Sequence, residues 1–298
     1  MKKLNIFLSI IVGALILVSC NKETEWDKEL NKEDTRIEQY LLKNNLNISP
    51  EESGLYYIET KEGDGIMPQS GDYVIYDFTY WLLDSTLIST SDSNIAKLYD
   101  IYNDELVYGR QTRQVGYYFS PGESEGFTNM KENGECKLII PFEIGSIYYP
   151  TYIYPAYSTM LVNFKLHKVV TDPEVYEQQI LDTFLLNNPD YTQISNIEGL
   201  YYKQTTAGNG IAITSSSQIN MTFTIYMIDG RKVIEETDDI YYYDVTLPGL
   251  KNGLLLMTEG ENGVLLMRSD LAYDNRNDLV IPPYTSVLFD ITINEVNY

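Results

Sequence analysis

Polar and apolar residues alternate with period two through most of the chain. The runs Tyr73-Val74-Ile75-Tyr76-Asp77-Phe78-Thr79-Tyr80-Trp81 and Ile219-Asn220-Met221-Thr222-Phe223-Thr224-Ile225-Tyr226-Met227 predict long strands, followed by turns at Asp84-Ser85 and Asp229-Gly230. Short apolar runs at 137–140 and 264–267 predict further strands, and 159–169 and 286–296 predict two more. Helical spacing is rarer. Asp34 is positioned to cap a segment with Ile37, Tyr40 and Leu41 on one face, and Asp172 with Pro173 opens one carrying Tyr176, Ile180 and Phe184. Short helices are expected over 126–130 and 253–257, ending at Gly134 and Gly260.

The chain repeats itself. At an offset of 145, Gly54-Leu55-Tyr56-Tyr57-Ile58-Glu59-Thr60-Lys61-Glu62-Gly63-Asp64-Gly65-Ile66 agrees at eight of thirteen positions with Gly199-Leu200-Tyr201-Tyr202-Lys203-Gln204-Thr205-Thr206-Ala207-Gly208-Asn209-Gly210-Ile211. Each block follows a helix-like stretch, so the economical reading is two copies of one domain, at 34–170 and 171–298. The join at Thr171-Asp172-Pro173 is short and polar, which predicts close neighbours. The first copy carries a longer segment, about 92–120, where the second has a short link; such insertions often carry function.

The N-terminus is different in kind. Met1-Lys2-Lys3 precedes a largely apolar run from Leu4 to Val18 that ends Leu17-Val18-Ser19-Cys20. A basic start, a short apolar core and a small-residue boundary mark a secretory signal, shorter than the roughly 20 residues that span a bilayer. Leu-Val-Ser-Cys resembles a bacterial lipobox, which implies removal of 1–19 and lipidation of Cys20. The charge-mixed stretch 20–33 is expected to be a tether. Outer-membrane attachment follows as an expectation, on the periplasmic face or the cell surface.

Composition narrows the chemistry. Forty-three acidic against 21 basic residues give a net charge of −22, which repels nucleic-acid phosphates and anionic lipid. With one histidine, His167, and two cysteines, Cys20 and Cys136, the chain lacks the parts for histidine triads, Cys/His zinc sites or a disulfide framework. No cofactor and no metal are expected. Cys136 is expected to be a buried structural thiol. Twenty-seven tyrosines fit many half-buried strand faces.

The order of elements, with Pro248-Gly249-Leu250-Lys251-Asn252-Gly253-Leu254-Leu255-Leu256-Met257, then Leu271-Ala272-Tyr273, then Ile281-Pro282-Pro283-Tyr284-Thr285-Ser286-Val287-Leu288-Phe289-Asp290, resembles the FKBP family of peptidyl-prolyl isomerases. The first copy is similar through Pro121-Gly122-Glu123-Ser124-Glu125-Gly126, Ile140-Pro141 and Pro155-Ala156-Tyr157-Ser158-Thr159. The resemblance implies an α+β chain of two domains, each a bent antiparallel sheet wrapped around a short helix with a shallow apolar pocket between them. It also implies a catalytic set of Tyr273, Phe223, Phe289 and the backbone N–H of Leu247, and a substrate-binding set of Val233, Ile234, Leu250 and Ile281. The family's tryptophan floor is Leu250 here, and its Phe-Asp pair is Val233 and Ile234. The resemblance therefore implies a wider pocket that lacks the family's carboxylate. In the first copy the same positions are Phe78, Ile88, Ser89, Ser120, Glu123, Ser146 and Val162, and little of the pocket remains.

Other clusters have plainer readings. Glu235-Glu236-Thr237-Asp238-Asp239 is expected to be a solvated turn rather than a cation site or a glycosidase pair. Asp274-Asn275-Arg276-Asn277-Asp278 lacks the ligand spacing, central glycine and closing glutamate of a calcium loop. The tyrosine runs at 148–154 and 241–243 are expected to pack on strands and loops rather than serve as stacking platforms. Two classes of function stay open. One is a membrane-anchored prolyl isomerase and chaperone of the cell envelope, weakened by the missing Trp and Asp, whose partners are proline-containing polypeptides or envelope proteins. The other is a non-catalytic FKBP-fold module that binds a protein or glycan.

Overall fold

The computed structural model describes residues 24–276 and 280–298. The signal sequence, Cys20 and the 277–278 part of the acidic loop lie outside the described residues. Two six-stranded antiparallel sheets carry the chain. The first contains β1 (Tyr56–Lys61), β2 (Tyr73–Leu82), β3 (Leu87–Thr90), β4 (Gln111–Gln114), β5 (Glu135–Ile140) and β6 (Met160–Val170), in the order β1-β5-β6-β2-β3 with β4 also paired to β2. The second contains β7 (Thr192–Gln193), β8 (Leu200–Thr206), β9 (Gln218–Met227), β10 (Lys232–Tyr241), β11 (Asn262–Met267) and β12 (Val287–Asn297), in the order β10-β9-β12-β11-β8-β7. Matching β8, β11, β12, β9 and β10 to β1, β5, β6, β2 and β3 gives one order twice. The sequence repeat is a repeat of topology.

Period-two patterning builds these sheets as expected. In β12, Val287, Phe289, Ile291 and Ile293 are at most 2% exposed, while Asp290 faces solvent. A short helix packs on each sheet: α3 (Pro121–Thr128) in the first domain and α6 (Pro248–Leu254) in the second. Glycine makes the approach possible. A Cβ at Gly126 would lie 2.4 Å from Leu138, and one at Gly253 would lie 2.3 Å from Leu265, the equivalent contact. Both helices begin earlier than the predicted 126–130 and 253–257. Proline at the first turn sets their start, with Ser120 and Leu247 as N-caps, and in α3 a Ser120–Glu123 capping box reinforces it.

The leading helices also depart from expectation. Residues 24–33 are not a tether, because α1 (Glu25–Lys43) runs through them, and Asp34 lies inside the helix rather than at its cap. Thr24 and Asp27 form a capping box, Lys28 and Lys32 pair with Glu25 and Glu29 one turn back, and Trp26 packs edge-on at 5.1 Å against Phe142, the first residue of α4 (Phe142–Gly145). Ile37 is buried on Ile139 and Leu161, with Tyr40 and Leu41 beside it, as the apolar face predicted. In the second domain Asp172 does cap α5 (Pro173–Asn187), accepting from the Val175 N–H at 3.0 Å. The buried face of α5 is Glu177 and Leu181, and the predicted Ile180 is 38% exposed. The acidic run 235–239 is strand, not turn, lying along β10 at the sheet edge. Charge there discourages pairing with another chain.

The buried face of α5 departs from apolar spacing because it is centred on a carboxylate, that of Glu177. Glu177 Oε1 accepts the Ser269 N–H at 2.9 Å and the Ser286 hydroxyl at 2.7 Å, and Oε2 accepts the Ser269 hydroxyl. The first domain repeats the device: Glu33 Oε1 accepts the Phe142 N–H at 2.8 Å and the Thr159 hydroxyl at 2.5 Å. Among the described residues, Cys136 is the buried free thiol, 1% exposed, and burial pushes it up to about 12, so it is inert at neutral pH.

Glu33→Ala orphans two buried donors and should cost about 2–4 kcal/mol in chemical denaturation. Burial holds the Glu33 carboxyl above its ordinary value of 4.5. The folded state thus binds this proton more tightly than the unfolded chain does, and the stabilisation is complete below 4.5 and lost as pH rises through the folded-state value. Glu33→Gln keeps an acceptor for both donors, so its stability should rise relative to wild type between pH 4 and 7. A difference that is flat across that range would contradict the assignment.

Candidate functional site

The second domain gathers most of the predicted site residues around one core. Phe289, Leu250 and Ile281 are 2%, 7% and 3% exposed, and Phe223, Val233, Leu247 and Tyr273 pack half-buried against the same cluster. Phe223 on β9 stacks on Phe289 of β12, with ring centroids 5.9 Å apart and planes 18° apart. Ile234 differs, being 38% exposed on β10. A register shift between Lys232 and Ile234 makes Val233 the extra residue of a bulge. Val233, Ile234, Tyr273 and Ile281 line an open cleft, whereas Phe223, Phe289, Leu247 and Leu250 are not among its lining residues.

Two donors in this region have no partner among the described residues: the Leu247 N–H and the Tyr273 hydroxyl. Leu247 is the extended N-cap of α6, and its carbonyl accepts the Lys251 N–H at 2.9 Å. Its own N–H lies ahead of the helix, where a helix start leaves donors unsatisfied. Burial raises the Tyr273 phenol above its ordinary value, so it stays a donor at neutral pH. The Arg276 guanidinium lies over the Tyr273 ring at 5.9 Å and its Nε donates to the Tyr273 carbonyl, which fixes the turn carrying the phenol.

The first domain closes the same region. Glu123 Oε2 accepts the Ser120 N–H at 2.7 Å, so the donor equivalent to Leu247 is occupied. The other oxygen of Glu123 accepts the hydroxyl of Tyr80, and this carboxylate, at the floor position, is fully partnered. Tyr76, Phe119, Phe127 and Phe164 fill the space beside it, with Phe127 stacked on Phe164 at 4.3 Å. Phe78 and Ile88 pack half-buried on that cluster, Val162 is wholly buried within it, and Ser89 and Ser146 are exposed. The Ser-x-x-Glu spacing at 120–123 was the available sequence signal for this closure. Tyr80 was not recognisable from it, being 43 residues away.

The open cleft is shared between the domains. Its volume is about 1170 Å³, and its second wall comes from residues 102–108 of the first domain, within the 92–120 segment. That segment contains α2 (Ser93–Leu98) and β4, and Val107 packs against the second domain's core. The domains also meet where the Tyr73 and Tyr284 rings cross edge-on at 5.5 Å and where Arg231 Nη1 donates to the Arg110 carbonyl at 2.8 Å. Among the described residues no His, Cys, Asp and Glu cluster suits a metal, and no helix is long and apolar enough to cross a membrane. His167 is held by Asp77, Nε2 to Oδ2 at 2.7 Å.

Residues 200–294 match the sequence profile of the FKBP-type peptidyl-prolyl cis-trans isomerases. The second domain is therefore an FKBP-type domain, and the first domain repeats its strand order. Similar solved structures include the three FKBP domains of wheat FKBP73, at 16% identity over 83% of this chain and 96% of that one, with a TM-score of 0.34. FkpA from Escherichia coli is 19% identical over 57% of this chain and 70% of its own, with a TM-score of 0.39. A peptidyl-prolyl cis-trans isomerase from Pseudomonas syringae pv. tomato is 19% identical over 42% and 94%, with a TM-score of 0.38. No curated protein matches.

A double-mutant cycle on Tyr80→Phe and Glu123→Ala should return a coupling of about 1–3 kcal/mol, because the bond is buried and one partner is charged. Coupling below about 0.5 kcal/mol would mean that the carboxylate does not hold the phenol.

Proposed function

We propose that the second domain is a peptidyl-prolyl cis-trans isomerase site for proline-containing polypeptides, and that the first is a closed copy without that activity. The observation that carries this reading is the contrast at one backbone donor: the Leu247 N–H is without a partner among the described residues, whereas the equivalent Ser120 N–H is capped by Glu123. Rotation about an X-Pro bond is opposed by about 18–20 kcal/mol of amide resonance. An apolar wall of Val233, Ile234, Tyr273 and Ile281 is suited to the proline ring and the Tyr273 hydroxyl to a substrate carbonyl, while the Leu247 N–H, outside the cleft lining at the start of α6, offers a second donor. Removing water from the amide weakens resonance, and binding the twisted form better than the planar forms lowers the barrier. No titrating nucleophile is needed. With leucine at the floor and isoleucine at the acidic position, contact with the twisted amide is reduced, so turnover falls further than binding.

The same reading places the protein on a membrane of the cell envelope, held by lipid on Cys20, on the periplasmic face or the cell surface of the outer membrane. The support is Met1-Lys2-Lys3, the apolar run and Leu-Val-Ser-Cys. With α1 capped at Thr24, Cys20 is at most about 14 Å of extended chain from the first domain. An acyl chain contributes about 0.8 kcal/mol per buried CH₂, which offsets the repulsion from anionic lipid of a chain that, without Lys2 and Lys3, carries 19 basic against 43 acidic residues, a net −24.

Residues 21–298 should accelerate a proline-limited refolding reaction, and Tyr273→Ala should reduce that acceleration at least tenfold with the fold intact by circular dichroism. Binding of proline peptides without any acceleration would instead make the domain a non-catalytic binding module. In cells, Cys20→Ala should abolish incorporation of labelled fatty acid and release the protein from the membrane fraction; retention of the label would contradict the anchor.

A further inference from the structure

The wall contributed by the first domain is held in place. Asp92 caps α2 through the Asn94 and Ile95 N–H groups, and the Lys97 ammonium lies 4.6 Å above the Tyr102 ring. Tyr102 stacks on Tyr108 at 5.2 Å with planes 10° apart, and the Tyr108 hydroxyl accepts the Asn103 N–H at 3.1 Å. Beyond Tyr108 the chain turns at Gly109, φ +106°, where a Cβ would come within 3.1 Å of the Arg231 side chain. Arg231 then ties Arg110 to the second domain. Stacking, turn and cross-domain hydrogen bond together make residues 102–108 a fixed surface facing Tyr273 and Ile234 across the cleft.

The charges of this cleft do not cancel. Of its two cations, Arg231 is paired with Asp229 at 2.8 Å and Lys232 with Glu235. Asp104, Glu105 and Glu236 also line the cleft and form no ion pair among the described residues. Glu236 lies near enough to the Tyr273 phenol for its charge to be felt there. A volume of about 1170 Å³ exceeds the roughly 300–1,000 Å³ of a small-molecule pocket and suits several residues of extended chain.

We infer that residues 102–108 form the second wall of the second domain's polypeptide site, and that Asp104, Glu105 and Glu236 select a proline flanked by lysine or arginine. This rests on the prolyl-site reading above. Tyr273 and its neighbours take the proline, while the carboxylates act on the side chains beside it and so set preference rather than chemistry.

The test uses residues 21–298 and two ten-residue fluorescent probes with a central Ala-Pro, one flanked by lysines and one by glutamates. Wild type should prefer the lysine probe at low salt. Asp104→Asn with Glu105→Gln should cut that preference by a factor of about two to five for each carboxylate, the range of an exposed ion pair. Glu51→Gln with Glu52→Gln, the same charge change away from the cleft, should leave it intact. Equal losses in the two double variants would reduce the effect to net charge and overturn the inference. Replacing residues 102–108 by a Gly/Ser segment of equal length should weaken both probes; tighter binding would make the segment an obstruction and overturn its role as a wall. Failure of the underlying reading looks different: Tyr273→Ala, folded by circular dichroism, would bind both probes as tightly as wild type.

Discussion

A buried carboxylate on the helix that leads each domain is the constraint on which the rest is arranged. Glu177 and Glu33 each accept a backbone N–H where a central strand ends and a hydroxyl where the last strand begins. The loop between those two points, which in the second domain carries Tyr273 and Ile281, is thereby tied at both ends. A buried carboxylate costs several kcal/mol unless its oxygens are satisfied, and here backbone and hydroxyl donors supply that satisfaction. Because the acid comes from a helix outside the sheet, helix, sheet and loop are fixed together. A pocket wall built on a loop needs such a tie, since loops otherwise open at low free-energy cost.

Within this shared framework one side chain separates the two domains. Position 123 carries a carboxylate and position 250 a leucine. The carboxylate turns back on its own helix start, takes the Ser120 N–H and reaches the Tyr80 hydroxyl, so the region a ligand needs is used for internal bonding. Leucine makes no such bond, and α6 starts with a donor unpartnered among the described residues. Helix capping and ligand binding draw on the same orphan N–H groups, so a strong capping box and an open site at one helix start exclude each other.

The sheets were legible because alternation in strands such as β2, β9 and β12 is a direct consequence of the pleat, and the internal repeat fixed the domain count. Asp172-Pro173 marked its helix for local reasons. What escaped reading depended on partners distant in sequence. The stretch 25–33 has the composition of a linker and is a helix because Trp26 packs on Phe142 and Glu33 reaches Thr159, both more than a hundred residues away. The buried face of α5 is centred on a glutamate, so a search for apolar spacing lands on Ile180 and misses Glu177. Val233, Ile234, Tyr273 and Ile281, to which only family resemblance pointed, line the cleft. Leu250 and Phe289 share their core without reaching it.

Closing one pocket also changes what the first domain can contribute. Tyr76, Phe119, Phe127 and Phe164 form a packed aromatic core beneath α3, with Phe127 fully buried. Between β3 and β4 the chain leaves this filled core and reaches the neighbouring domain. There Val107 packs on the facing core and the Arg110 carbonyl accepts from the Arg231 guanidinium, while the domains also meet at the crossed rings of Tyr73 and Tyr284. Had the first domain kept an open pocket, its strands would answer to two demands, its own ligand and its neighbour's. Filled, its core answers to packing, and what it contributes to the shared cleft is the 102–108 wall.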